Sequence, residues 1–157
     1  MKKVLVIGMI VFTGCSSVAQ TKTLPSTRPA DLQFNYHYDG GMLYYSENLL
    51  LSKDSCIFTR NDAGKKNIKH FTLSPAEMDG LYNTLFSNKF GQIEVKQETG
   101  VYDRGGISMD INWDSGKNSV KVSDAQMSFV TEKWRTDWQN VVAYITNLMR
   151  TKTTNNN

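Results

Sequence analysis

Cysteine is nearly absent from this chain. Only Cys15 and Cys56 occur, and Cys15 falls at the end of an N-terminal export leader, so Cys56 has no thiol partner and a disulfide framework is excluded. Set in "SCIFT" between apolar neighbours, Cys56 reads as a small buried hydrophobe and not as a reactive thiol. Histidine is equally scarce. His37 and His70 cap any histidine-based metal site at two nitrogen ligands, with Cys56 as a third, and no HxxxH or CxxC spacing ties them together. Surface histidines are therefore expected. Asp110, Asn112 and Asp114 alternate like the start of a calcium loop, but the glycine comes one position late, at Gly116, and Lys121 stands where a bidentate glutamate is needed. No metal and no cofactor is predicted. Nor is there a GxSxG or a serine-rich loop beside a histidine, and no catalytic residue is assigned.

Long apolar runs are missing as well. The only one, Val4–Phe12, is too short for a helix that crosses a bilayer, which takes about twenty residues. It follows Lys2 and Lys3, as the core of a bacterial export signal does. Net charge is small: the formal +3 includes both leader lysines, and the remaining sixteen Lys and Arg face fifteen Asp and Glu. That balance offers no electrostatic footprint for nucleic acid. The most basic stretch, Arg60–His70 with Lys65, Lys66 and Lys69, reads as a solvated hairpin tip.

What is present begins with two overlapping cleavage patterns. Phe12-Thr13-Gly14-Cys15 suits lipobox processing, with Cys15 lipidated, whereas Ser17-Val18-Ala19 suits a cut after Ala19 that leaves a free protein. The apolar run stops at the cysteine, and a polar, proline-bearing segment follows. Residues 1–15 are thus read as signal with a lipobox cysteine, 16–31 as a flexible tether, 32–150 as one domain and 151–157 as a disordered tail.

Within the domain, hydrophobic periodicity supplies the elements. "DLQFNYHYD" alternates Leu32, Phe34, Tyr36 and Tyr38 against Gln33, Asn35 and His37, the pattern of a half-buried strand. Asp39-Gly40-Gly41 turns it into "MLYYSENLLLS"; "SCIFTR" and "NIKHFTL" form a second hairpin across "NDAGKK". Ser74-Pro75-Ala76-Glu77 is a capping box opening a helix with Met78, Leu81, Tyr82, Leu85 and Phe86 on its apolar face, ending near Asn88. Strands are expected at "QIEVKQE", "ISMDINW" and "NSVKVS". A second helix starts near Glu132 with Trp134, Trp138, Val141, Val142, Ile145, Leu148 and Met149 on one stripe. Hairpin-length connections exclude a parallel sheet. The fold class is α+β: an antiparallel sheet built from hairpins with two helices packed on one face, in the order β-β-β-β-α-β-β-β-α.

The stretch "TGVYDRGG", residues 99–106, is too long for a minimal hairpin and is the candidate binding loop. Arg104 presents a fork suited to a carboxylate or peptide backbone, Tyr102 a stacking face, and Asp103 a carboxylate beside them. Alternatively the loop is a structural turn, with Gly105 and Gly106 at positive φ and Asp103 paired to Arg104 or capping amides. Tyr36, Tyr38, Tyr44 and Tyr45 divide between core and an exposed aromatic patch, since neighbours on a strand point oppositely.

With the leader, the tether and "HFTLSPAEMDGLYNTL" read, the chain resembles small secreted or lipid-anchored envelope proteins of Gram-negative bacteria, which carry short hairpins, a helix opening in Ser-Pro-x-Glu and a late Trp-containing helix. The resemblance is one of pattern over residues 32–149 and carries over no catalytic residue. The expected function is a non-catalytic binding or accessory module of the cell envelope, facing the periplasm, held by lipid at Cys15 and partnered by an envelope protein or peptide. The alternatives are a free periplasmic or secreted inhibitor-like protein acting on a hydrolase and, third, a hydrolytic enzyme with a cryptic carboxylate site.

Overall fold

A computed structural model describes residues 23–101 and 103–154. The leader, Cys15 and both cleavage patterns lie outside the described residues, as does Tyr102. Eight strands and two helices follow in chain order: β1 Gln33–Asp39, β2 Tyr45–Leu51, β3 Cys56–Asp62, β4 Lys65–Phe71, α1 Pro75–Ser87, β5 Val95–Gln97, β6 Gly106–Trp113, β7 Asn118–Asp124, β8 Ser128–Val130 and α2 Arg135–Thr154. Six strands form one antiparallel sheet in the order β4-β3-β2-β1-β6-β7, and β5 pairs with β8 in a small second sheet. The fold is α+β, as the alternation and hairpin spacing require. β8 was not foreseen, and β5 pairs with it instead of entering the main sheet.

Register explains which side chains meet the helices. Phe34 lies opposite Leu51 and Ile111, and Tyr36 opposite Leu49 and Met109, so one face of the sheet is continuously apolar. Against it pack Met78, Leu81, Tyr82 and Leu85 of α1 and Trp138, Val141, Ile145 and Met149 of α2, all buried in one core. Phe90, in the turn after α1, stacks on Trp138 at 6.5 Å between centroids. Cys56 joins this core at 1% exposure, and burial raises its thiol pKa above the ordinary value. Phe86 does not follow its helix face inward; it is 44% exposed.

The helix ends obey local rules. Ser74 Oγ accepts from Glu77 N while Glu77 accepts from Ser74 N (2.8 Å), completing the capping box with Pro75 in the first turn. Lys152 Nζ lies 2.7 Å from Glu77 Oε1, and Lys69 Nζ donates to Thr153 O. These contacts explain why α2 continues to Thr154, four residues into the segment expected to be a disordered tail. The hairpin turns are tighter or longer than expected: β3 and β4 join through Ala63-Gly64, both at positive φ, whereas β1 and β2 are separated by a 3-10 turn at Gly41–Leu43.

The segment read as tether is packed over its described part. Leu24 is in the core, Tyr82 donates to Pro25 O at 2.5 Å, and Arg28 Nε meets Asp79 Oδ1 at 2.7 Å. Asp31 then accepts the amides of Ser115 (2.7 Å) and Asp114 (3.2 Å), which holds its carboxyl below the usual range. That contact orders the β6–β7 turn, where Asp114, Ser115 and Gly116 all have positive φ.

Candidate binding site at the loop end of the sheet

The register places Asp39, Tyr45, Asp62, Gly106 and Asp124 at one end of the main sheet. Four connections gather there: the 41–44 turn, the Ala63-Gly64 turn, the 99–106 loop and the 125–127 turn. They touch through backbone. A Cβ on Gly41, whose φ is +62°, would lie 2.5 Å from Asp103 O, and one on Gly106 would lie 2.1 Å from Asp124 O. Gly106 is thus required for close approach, and neither it nor Gly105 takes the positive φ expected; Gly100 does, at +84°.

Arg104, expected either to greet a ligand or to pair with Asp103, is bound elsewhere on its own chain. Its Nε donates to Gln126 O (3.1 Å), and its Nη2 donates to Ser128 O (2.5 Å) and faces Asp124 Oδ1 (3.4 Å). The guanidinium also stacks on Phe129 at 4.1 Å from the ring centroid. Asp124 itself accepts from Val130 N (3.3 Å) and faces Arg135 (3.7 Å). The fork therefore fastens the 99–106 loop to β7, β8 and the turn between them. Asp103, at φ +59°, is exposed and makes no ion pair or side-chain hydrogen bond among the described residues. With Asp39, Gly41, Val101, Arg104, Gln126 and Met127 it lines an open cleft of about 320 Å³.

The tyrosines divide into three environments. Tyr36 is core. Tyr38 and Tyr45 pack edge to face at 5.7 Å on the rim, with Arg60 4.8 Å above the Tyr45 ring. Burial, then the hydrogen bond to Glu47, pushes the Tyr45 hydroxyl up to about 12, so it is a neutral donor at pH 7. Tyr44, at φ 49°, is turned outward and 84% exposed; Met42 beside it is 77% exposed. Met127 is also exposed. Three of the six large exposed hydrophobics among the described residues belong to this end of the molecule.

The outer face of the sheet is polar around β1, β6 and β7. Asp110 accepts from Asn35 and Asn112 (both 2.9 Å), which accounts for the alternating acids as a strand's outward face. His37 and His70 both lie on this outer face, on β1 and β4, with two strands between them, at least about 14 Å apart at the usual strand spacing. Cys56 lies on the opposite face, so the three do not converge. Among the described residues no group of three or more His, Cys, Asp or Glu is placed to hold a metal ion. No described helix is long and apolar enough to cross a membrane.

The residues missed by sequence reasoning are those of the 125–127 turn and β8. Three-residue strands carry too little alternation to register, and the one local signal is the exposed Gln126-Met127 pair following Asp124. No family model matches the chain, and no curated protein is significantly similar to it.

Proposed function

We propose that this chain is a non-catalytic binding module of the bacterial cell envelope, held to a membrane by lipid at Cys15, that engages an envelope protein or peptide through the loop end of its sheet. The observation that carries this reading is that Met42 and Tyr44, largely exposed, lie in the turn whose Gly41 lines the open cleft, and that Met127, also exposed, lines the same cleft. Large apolar side chains left in water at one end of a well-packed domain are the usual mark of an interaction surface. The scaffold supports them rigidly. Arg104 pins the neighbouring loop, and Gly41 lets the turn approach Asp103. On this reading the main contacts move from Arg104, whose Nε and Nη2 are turned to its own chain, to the apolar tip and Asp103.

Packing of Leu24 into the core leaves seven residues between Cys15 and Thr23, eight Cα steps and a reach of at most about 28 Å. An anchored domain is thus held close to its membrane. Two measurements test the proposal. Intact mass of the protein from its native host should give a lipid-modified chain beginning at Cys15; an unmodified chain beginning at Gln20 refutes the anchor and favours the free inhibitor-like protein. Met42→Ser with Tyr44→Ser should leave the melting temperature within about 2 °C, because both side chains are already solvated. The same pair should abolish co-purification of the partner bound by the parent. Retained co-purification overturns the apolar tip as the binding surface.

A further inference from the structure

Beside the apolar tip, on the outer face of the sheet, the 125–127 turn curls over β6 and β7 and encloses a second cleft of about 220 Å³. Its floor is one cross-strand row: His37 on β1 lies opposite Ser108 on β6, which lies opposite Ser123 on β7. Asp39 and Lys121 flank that row, and Gln126 overhangs it. We propose that this cleft binds a single neutral, hydroxyl-rich ring: one pyranose unit of a saccharide. The proposal goes beyond the protein-binding reading; the two clefts share Asp39, Gln126 and Met127, while His37, Ser108, Ser123 and Lys121 belong to this one alone, so Lys121→Ala tests it separately.

The hydrogen-bonding inventory selects the ligand class. Ser108 and Ser123 share one hydrogen bond (2.8 Å), which leaves acceptor capacity on the floor. His37 Nδ1 meets Asn48 Oδ1 at 2.8 Å; that oxygen only accepts, so Nδ1 carries the hydrogen and Nε2 is the ring nitrogen left for a ligand. Asp39 Oδ1 accepts from Gly41 N (2.8 Å), leaving its second oxygen as acceptor. Lys121 makes no ion pair among the described residues and is a pure donor, while the Gln126 amide offers both functions. The lining therefore offers both donors and acceptors, which matches hydroxyl groups, each both donor and acceptor. Charge argues the same way: the Asp39 carboxylate and the Lys121 ammonium balance, favouring neither an anion nor an amine. Ala125 and Met127 supply the apolar edge on which the C–H face of a ring rests. The volume lies below the roughly 300–1,000 Å³ of sites for larger ligands, so one ring is the fit.

The test is an amide ¹H–¹⁵N titration of the processed chain carrying Cys15→Ser. The probes are the methyl α-pyranosides of glucose, galactose and mannose, together with N-acetylglucosamine and N-acetylgalactosamine. Inorganic phosphate, glucuronate and glucosamine serve as charged controls. At least one neutral sugar should shift the amides of residues 37, 108 and 121–128 with a millimolar midpoint. Lys121→Ala and Gln126→Gly should each weaken that midpoint at least fivefold while core amides stay in place; glycine suits position 126 because its φ is +53°. No shift in this cleft with any neutral probe at 50 mM overturns the proposal. So do shifts with the charged controls alone, or unchanged midpoints in both variants.

Discussion

Arg104→Ala separates a ligand-facing arginine from a fastening one. The substitution removes two donations to backbone carbonyls, Gln126 O and Ser128 O, the approach to Asp124 and the stack on Phe129. The side chain is about one-third exposed, so each carbonyl regains water and each lost bond costs about 0.5–1 kcal/mol. The ion pair with Asp124, screened at this exposure and still backed by Arg135, contributes about 0.5 kcal/mol, and the stack a similar amount. A destabilisation of about 2–3 kcal/mol follows, read in urea as a lower midpoint with unchanged slope and in heat as a drop of roughly 6–10 °C. Arg104→Lys should recover less than half of it, since an ammonium cannot serve two carbonyls and a ring together. Asp103→Asn, which keeps a side chain suited to the left-handed backbone at φ +59°, should stay within about 0.5 kcal/mol of the parent. An Arg104→Ala chain as stable as the parent would refute the fastening role.

Other outcomes follow from the packing and the charges. Trp138→Ala empties a site between Phe90 and the sheet and should cost about 3–5 kcal/mol by chemical denaturation; an unchanged midpoint removes α2 from the core. In a chain carrying Cys15→Ser, the Cys56 thiol should resist a thiol-exchange reagent at pH 8 until the protein unfolds, because burial both blocks access and disfavours the thiolate. Stoichiometric labelling of the folded chain within minutes would contradict that. Glu77 has its carboxyl held below the ordinary range, first by Lys152 and then by the Ser74 amide. Its contribution is therefore present above the unfolded value of about 4.3 and lost as pH falls below it. Glu77→Gln keeps the capping geometry and removes the charge; the parent should exceed it by about 0.5 kcal/mol, discounted for solvent screening, at pH 6–7, with the gap closing toward pH 3. A gap that widens on acidification contradicts the pairing.

The parts of the fold legible in the sequence are those set by short-range periodicity and caps. Alternation over Leu32–Tyr38 and Ile107–Trp113 placed two central strands and their inward faces, and Ser74-Pro75-x-Glu77 placed the start of α1. What stayed hidden depends on contacts distant in the chain. Leu24 is followed by proline and polar residues, so nothing local distinguishes it from a tether; it is ordered by Tyr82 and Asp79, more than fifty residues on. The three-residue β5 and β8 hold each other, and neither carries its own signal. The candidate loop was found because glycines bracket a charged and aromatic stretch, yet neither reading of its arginine, toward a ligand or toward Asp103, foresaw its hold on Gln126 and Ser128. Composition cannot show where a fork points, and the carbonyls that occupy it belong to a turn twenty residues later. Met42 and Tyr44 read as part of a strand and are instead turned out by the left-handed backbone at Tyr44.

The claim that the loop end is the binding surface is tested most directly by site-specific photo-crosslinking in the native envelope. A photoreactive residue replaces Tyr44, or Lys117 in the β6–β7 turn at the opposite end of the sheet, where exposure is also high. The account predicts a discrete adduct from position 44 that is lost when Met42→Ser is added, and none from position 117. Equal adducts from both positions, or adducts from position 117 alone, would contradict it.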